Sequence, residues 1–138
     1  MFNRILLAVD ESKHSYRSAS YAIELAKKFN GTIDVVYVVD GQTSKEDVLH
    51  SGNKMAIEQK RKEKIKSIQE LFDQTDIDFR VHILHGEPGP VIVEFANKNN
   101  FDCVVLGSRG LNNLQTMILG SVSHKVAKRV NCPVLIVK

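Results

Sequence analysis

Apolar runs and segments of helical spacing alternate along the chain. Ile5 to Val9 is a continuous apolar run, the pattern of a strand covered on both faces. It stops at Asp10, Glu11 and Ser12, a combination that starts helices. Apolar or small residues then recur at Ala19, Ala22, Ile23, Ala26 and Phe29, close to a 3.6-residue period, and predict a helix closed by Asn30 and Gly31. Ile33 to Val39 predicts a second strand, rich in β-branched residues. The helix between the two is long enough for a crossover, so these strands are expected to run parallel.

The stretch from Gly41 to Gly52 is polar and aperiodic and reads as a mobile loop, with a helical turn around Glu46 to Leu49. A long helix follows, roughly Lys54 to Gln74, with Ile57, Arg61, Ile65, Ile68 and Phe72 inward and the stem of Arg61 lying along the surface. Phe79 to Leu84 alternates apolar and polar residues as an outer strand does, with His82 facing outward. His85 to Pro90 is a turn leading into a helix from about Pro90 to Asn99, which buries Val91, Ile92, Phe95 and Ala96 before Asn99 and Asn100 close it. Phe101 to Leu106 predicts a fourth, central strand. Beyond a glycine-bearing stretch, a helix from about Gly120 to Arg129 turns Val122, Val126, Ala127 and Val130 inward, and Pro133 to Val137 forms a fifth strand.

The βαβαβαβαβ pattern has no internal boundary and predicts an α/β fold: one domain over residues 1–138, an open parallel sheet with helices on both faces. Right-handed crossovers and a reversal of winding leave a crevice at the carboxyl ends of the strands. Asp10, Val38, Val39, Asp40, Gly86 and Gly107 all lie at such ends, though far apart in sequence.

Composition narrows the function classes. With 138 residues, 43% hydrophobic and 25% charged, the chain reads as an ordinary soluble globular domain. The net charge of +3 is concentrated in Lys60 to Lys64 with Lys66, which fits a solvated helix face better than a nucleic-acid surface. Cys103 and Cys132 form no disulfide framework and no zinc spacing, and read as buried small hydrophobes. No signal-peptide pattern and no membrane-length apolar run is visible, so a cytoplasmic protein is expected.

The chemistry concentrates in one stretch. Gly107, Gly110, Gly120 and Ser121 are spaced Gly-x2-Gly-x9-Gly-Ser, after an apolar strand and ahead of a helix. Glycines let backbone N–H groups approach an anion, and the first helical turn leaves such groups unbonded. Ser121 and Ser123 are placed to cap that helix or to reach the same anion. The bland alternative is that these glycines serve only tight turns. No Gly-Lys-Ser/Thr, Gly-x-Ser-x-Gly or kinase signature is present, so a dedicated hydrolase is not indicated. His14, His50, His82, His85 and His124 share no ligand spacing, and only His85 lies near the expected rim.

These residues closely resemble the ATP-binding class of the universal stress protein family, over the whole chain. The resemblance rests on the glycine stretch, on Ile5 to Asp10 with Ser12, on Val35 to Val39, and on His85, Gly86 and Pro88. It implies a Rossmann-like sheet of the adenine nucleotide alpha hydrolase-like type with strand order 3-2-1-4-5, and a homodimer through the last strand, Pro133 to Val137. An uncovered apolar edge there points the same way. The resemblance sets Ala8, Val9 and Asp10 against adenosine and the backbone of Val38 on the adenine edge. It sets Gly107, Ser108, Arg109, Gly110, Leu111, Asn112 and Asn113 around ribose and phosphates, and Gly120, Ser121, Val122 and Ser123 at the terminal phosphates. Tyr37 replaces a common family histidine, and Arg109 offers a further phosphate contact.

The implied ligand is ATP, or AMP or ADP, with Mg2+ or Mn2+. Asp10 is either the cap of the first helix or a group facing adenosine or the metal, and both roles can hold together. Asp10 or Glu87 could orient a water molecule. The expected function is nucleotide-dependent regulation during stress; the alternative is slow ATP hydrolysis or group transfer on the same fold.

Overall fold

The computed structural model describes residues 1–10, 12–39, 54–108 and 120–138. Within them strands and helices alternate: β1 (Arg4–Val9), α1 (His14–Phe29), β2 (Thr32–Val39), α2 (Lys54–Asp73), β3 (Phe79–His85), α3 (Pro88–Lys98), β4 (Cys103–Gly107), α4 (Ser121–Arg129) and β5 (Val134–Val137). The strands form one sheet in the order β3-β2-β1-β4-β5, and every pairing is parallel. This is the expected architecture. The expected loop from Gly41 to Gly52, with its turn at Glu46 to Leu49, lies outside the described residues, as does the side chain of Arg61.

Strand alternation divides the interior into two layers. Ile5, Leu7, Val35, Tyr37, Val39 and Val105 point to the side covered by α1 and α2, where Ala19, Ala22, Ala26, Ile65, Ile68 and Phe72 meet them. Leu6, Val36, Val104 and Leu106 point to the other side, against Ile92, Ala96 and Val126 of α3 and α4. Ile5, Leu6 and Leu7 have no solvent exposure, so β1 is covered on both faces as its unbroken apolar run requires.

The connections explain several boundaries. Asn30 takes the left-handed conformation at the end of α1, with φ of 54°. Gly31 is required for a different reason: a Cβ there would lie 2.4 Å from the carbonyl oxygen of Phe2. Asn100, at φ 53°, makes the corresponding turn after α3.

Several side chains depart from their expected positions. Phe29 is 39% exposed and makes an edge-on contact with Phe2, because the last turn of α1 overhangs the start of the sheet. Val91 and Phe95 are only half-buried. Ala127 is exposed, and Ser123 takes the inward place beside Val126, since a nine-residue helix turns only a narrow stripe to the sheet. His82 does not face outward freely. Its Nε2 lies 2.8 Å from Asp34 Oδ2 and its ring packs against Phe95. Asp34 is buried, and the guanidinium of Arg4, 3.7 Å from its Oδ1, lies over the Phe101 ring. A carboxylate is tolerated there because two cationic or donor groups meet it.

Cys103 is buried, and that burial pushes its thiol up to about 11. Cys132 is half-buried rather than buried, and its thiol is also raised, first by desolvation. The two packing layers separate them, since Cys103 belongs to the α1 side and Cys132 packs on the α3 side.

Replacing Gly31 by alanine is expected to destabilise the protein by about 1–3 kcal/mol, because the added carbon meets backbone rather than a movable side chain. Urea unfolding followed by circular dichroism measures this. An unchanged midpoint would contradict the close approach.

Candidate functional site

Pairing between β1 and β4 stops at Leu7 and Val105, although the strands continue to Val9 and Gly107. Carried forward, the same register sets Asp10 beside Ser108. The helix after β1 packs on one face of the sheet and the helix after β4 on the other. Two strands whose connections leave in opposite directions open a crevice at their carboxyl ends, and ligands bind in such crevices.

β2 forms the next part of this rim. Its pairing with β1 ends at Val9 and Tyr37, while its pairing with β3 runs on to Val39 and His85. The Val39 carbonyl faces β3, where it accepts the Gly86 N–H at 3.0 Å. Successive peptide groups of a strand alternate in direction, so the Val38 carbonyl faces the end of β1. Gly86 has φ of 135°, a conformation that suits glycine.

Asp10 closes the end of β1 and is held locally. Its Oδ1 accepts the Ser12 N–H at 2.8 Å and the hydroxyls of Ser12 and Ser15. The Asp10 N–H in turn bonds Ser15 Oγ at 2.8 Å. This is a turn built by Asp10, not the cap of α1: the helix begins at His14 after Lys13, without a side-chain cap. Ser15, buried at the start of α1, went unnoticed in the sequence, where only the spacing Asp-x-Ser-x-x-Ser after a strand would have marked it. Oδ1 is therefore occupied by the protein's own donors, which leaves Oδ2 as the oxygen turned to other uses.

The β4–α4 junction is tied at three points. The Ser108 N–H bonds the Val137 carbonyl at 2.8 Å, and the Gly120 N–H bonds the Ser108 carbonyl at 3.0 Å. Ser123 Oγ donates to the Gly107 carbonyl at 2.6 Å. A Cβ on Gly120 would sit 3.1 Å from the Ser108 oxygen, so a small residue suits this contact. The first bond within α4 is His124 N–H to the Gly120 carbonyl. The N–H groups of Ser121, Val122 and Ser123 therefore have no carbonyl within the helix to bond. No acidic residue lies in that first turn, which leaves the positive end of the helix dipole uncompensated by side chains there.

Two expectations change here. Ser123 is buried and its proton is engaged by Gly107, so its side chain fastens the helix to the strand instead of facing a ligand. Ser121 is exposed at the first turn and makes no side-chain cap. Ala8, Val9, Asp10, Val38, Gly107, Ser108, Gly120, Val122 and the two serines thus lie along one rim. Arg109, Gly110, Leu111, Asn112 and Asn113 lie outside the described residues.

At the outer side of the rim, Lys125 of α4 pairs with Glu87 at 3.1 Å, across the start of α3. A cavity of about 620 Å³ lies elsewhere, at the amino ends of β1, β2 and β3, lined by Arg4, Thr32, Asp34, Asp78 and Arg80. It is open and half-walled by exposed side chains. The rim, with its backbone donors, is the better candidate for a site. Among the described residues no cluster of three His, Cys, Asp or Glu side chains is arranged to hold a metal.

The chain belongs to the universal stress protein family, whose model matches residues 1–138. Universal stress protein YxiE of Bacillus subtilis is 31% identical over 148 residues, covering all of both chains. Universal stress protein UspA from Lactobacillus plantarum has the same fold, with a TM-score of 0.84 at 24% identity over 99% of this chain and 98% of that one. A universal stress protein from Archaeoglobus fulgidus, solved in complex with dAMP, matches with a TM-score of 0.73 at 24% identity over all of both chains. Among the described residues, no helix is long and apolar enough to cross a membrane.

Ser123→Ala should lower stability by about 1–2 kcal/mol, because the half-buried Gly107 carbonyl loses its donor. Chemical denaturation would register it as a lower midpoint at constant slope. A neutral result would mean the Gly107–Ser123 bond does not fasten α4.

Proposed function

We propose that this universal stress protein binds an adenine nucleotide, ATP or its shorter relatives AMP and ADP, and acts as a nucleotide-dependent regulatory homodimer. One observation carries the reading: the first-turn N–H groups of α4, which have no carbonyl within the helix to bond, stand at the end of β4, next to the place where β1 and β4 part. Such a helix start favours phosphate through both its donors and its dipole. From there the rim offers Asp10 at the end of β1 and the Val38 carbonyl at the end of β2, in the order phosphate, ribose, base. A backbone carbonyl suits the exocyclic amine of adenine. The dAMP complex of the Archaeoglobus fulgidus protein supports the reading only through a shared fold.

Asp10 would be the described carboxylate to hold a Mg2+ or Mn2+ ion accompanying the triphosphate, and the ion would offset the phosphate charge. Arg109 to Asn113 complete the proposed phosphate and ribose contacts by the family's motif.

Purified protein should release adenine nucleotide on denaturation, or bind ATP or AMP in calorimetry at millimolar ligand. The absence of both released nucleotide and calorimetric binding would sink the proposal. Gly120→Val should weaken binding by roughly tenfold or more, since the side chain intrudes where Ser108 and the helix start meet. A folded variant of unchanged affinity would move the site elsewhere.

The dimer is proposed through β5. That strand pairs with β4 on one edge and ends the sheet, and Val134, Leu135 and Ile136 are half-buried. An apolar edge strand invites pairing with its symmetry mate. Light scattering at tens of micromolar should give twice the chain mass, and Ile136→Lys should shift it toward one. A wild-type monomer would refute this interface.

A further inference from the structure

The rim carries a cation whose use is unexplained by the fold. Lys125 lies four residues after Ser121, about 6 Å along the helix axis and on the same face. Helical side chains lean toward the N-terminus, and the Lys125 stem does so over Gly89: a Cβ at that glycine would stand 2.8 Å from Lys125 Cδ. Its Nζ meets Glu87 Oε1 at 3.1 Å. Glu87 immediately follows Gly86, whose N–H is bonded to Val39 at the end of β2, so the ammonium is held at the level of the strand ends. Glycine at position 89 gives the lysine its path, and the carboxylate holds it in place. Both charged heads stay solvent-accessible, with side-chain exposures of 36% for Lys125 and 70% for Glu87, so a more highly charged anion can compete for the lysine.

The geometry points to Lys125 as the residue that reads how many phosphates the nucleotide carries, with Glu87 as its counter-ion when the terminal phosphates are absent. This rests on the nucleotide reading given above. A single phosphate, held beside the ribose at the end of β4, needs no lysine. Second and third phosphates extend the negative charge onto the N–H groups of Ser121, Val122 and Ser123, within the range of an ammonium one turn away. The lysine then exchanges Glu87 for phosphate, and Glu87 is released at the start of α3. Nucleotide length thereby becomes a change of charge on the surface between α3 and α4. No covalent step is involved.

If the pair only fastens α3 to α4, its loss lowers stability and leaves the preference among nucleotides unchanged. Calorimetry with ATP and with AMP, on the full wild-type chain and on Lys125→Met and Glu87→Gln, separates the two cases. Methionine keeps the stem packing over Gly89 and removes the charge. Lys125→Met should weaken ATP roughly tenfold while AMP stays within about twofold, the loss of one charge-assisted contact. Glu87→Gln should tighten ATP by about two- to threefold, because the competing carboxylate is gone. Equal effects on ATP and AMP, or none, would overturn the role of Lys125 and leave the nucleotide site standing. Failure of the wild type to bind either nucleotide would overturn both.

Discussion

Pairing between β1 and β4 ends at Leu7 and Val105, and each strand then runs on for two residues without the other. Elsewhere β1 is closed on both faces and both edges, so its backbone polarity is fully engaged by the sheet. Polar backbone can reach a ligand only where this enclosure stops. The opposite departures of α1 and α4 keep that place open, since neither helix crosses it. The position of the candidate site is thus a consequence of topology. The identity of the residues around it decides what the site can hold.

The polar side chains at the rim do mostly structural work. Asp10 Oδ1 organises the turn into α1 through Ser12 and Ser15, and Ser123 binds the end of β4 to α4. Each fixes a helix start relative to a strand end by a hydrogen bond of ordinary length. Their effect on a ligand is indirect but large, because an anion held by backbone N–H groups depends on where those groups point. At the other end of the sheet, Arg4, Asp34 and His82 have a comparable fastening role. There a buried carboxylate ties the starts of β1 and β2 to edge strand β3.

The sheet and its helices were legible because two-sided burial leaves a plain record. Ile5 to Val9 and Cys103 to Leu106 have no polar residue to interrupt them, and their neighbours in the sequence carry helical spacing. The strand order came from the family's motifs, since alternation alone permits several orders. The misreadings share a cause. Ala127 and Ser123 differ by 4 positions on a short helix, and hydrophobicity alone assigned the inward place to alanine. The serine holds it because the Gly107 carbonyl, 16 residues earlier, satisfies its hydroxyl. The pattern sends His82 to solvent because its partner, Asp34, is 48 residues away on another strand. Satisfied polar groups are invisible to a pattern that scores polarity as exposure. The rim itself was foreseeable, whereas the Glu87–Lys125 pair across two helices left no sequence signal beyond the spacing of Lys125 from Ser121.

The same geometry bears on whether a bound nucleotide is held or consumed. Backbone donors and a helix dipole stabilise a phosphate before and during transfer to a similar degree. Interactions of equal strength in ground and transition states raise affinity without raising the rate. Acceleration needs groups that act on the charge as it moves: a metal cluster, an aimed base, or a cation on the leaving oxygen. At the crevice mouth, the Oδ1 of Asp10 is engaged by serine and backbone donors. Lys125 is a cation at the outer side of the rim, and its partner is the Glu87 carboxylate. A charge arranged for exchange between partners responds to what is bound.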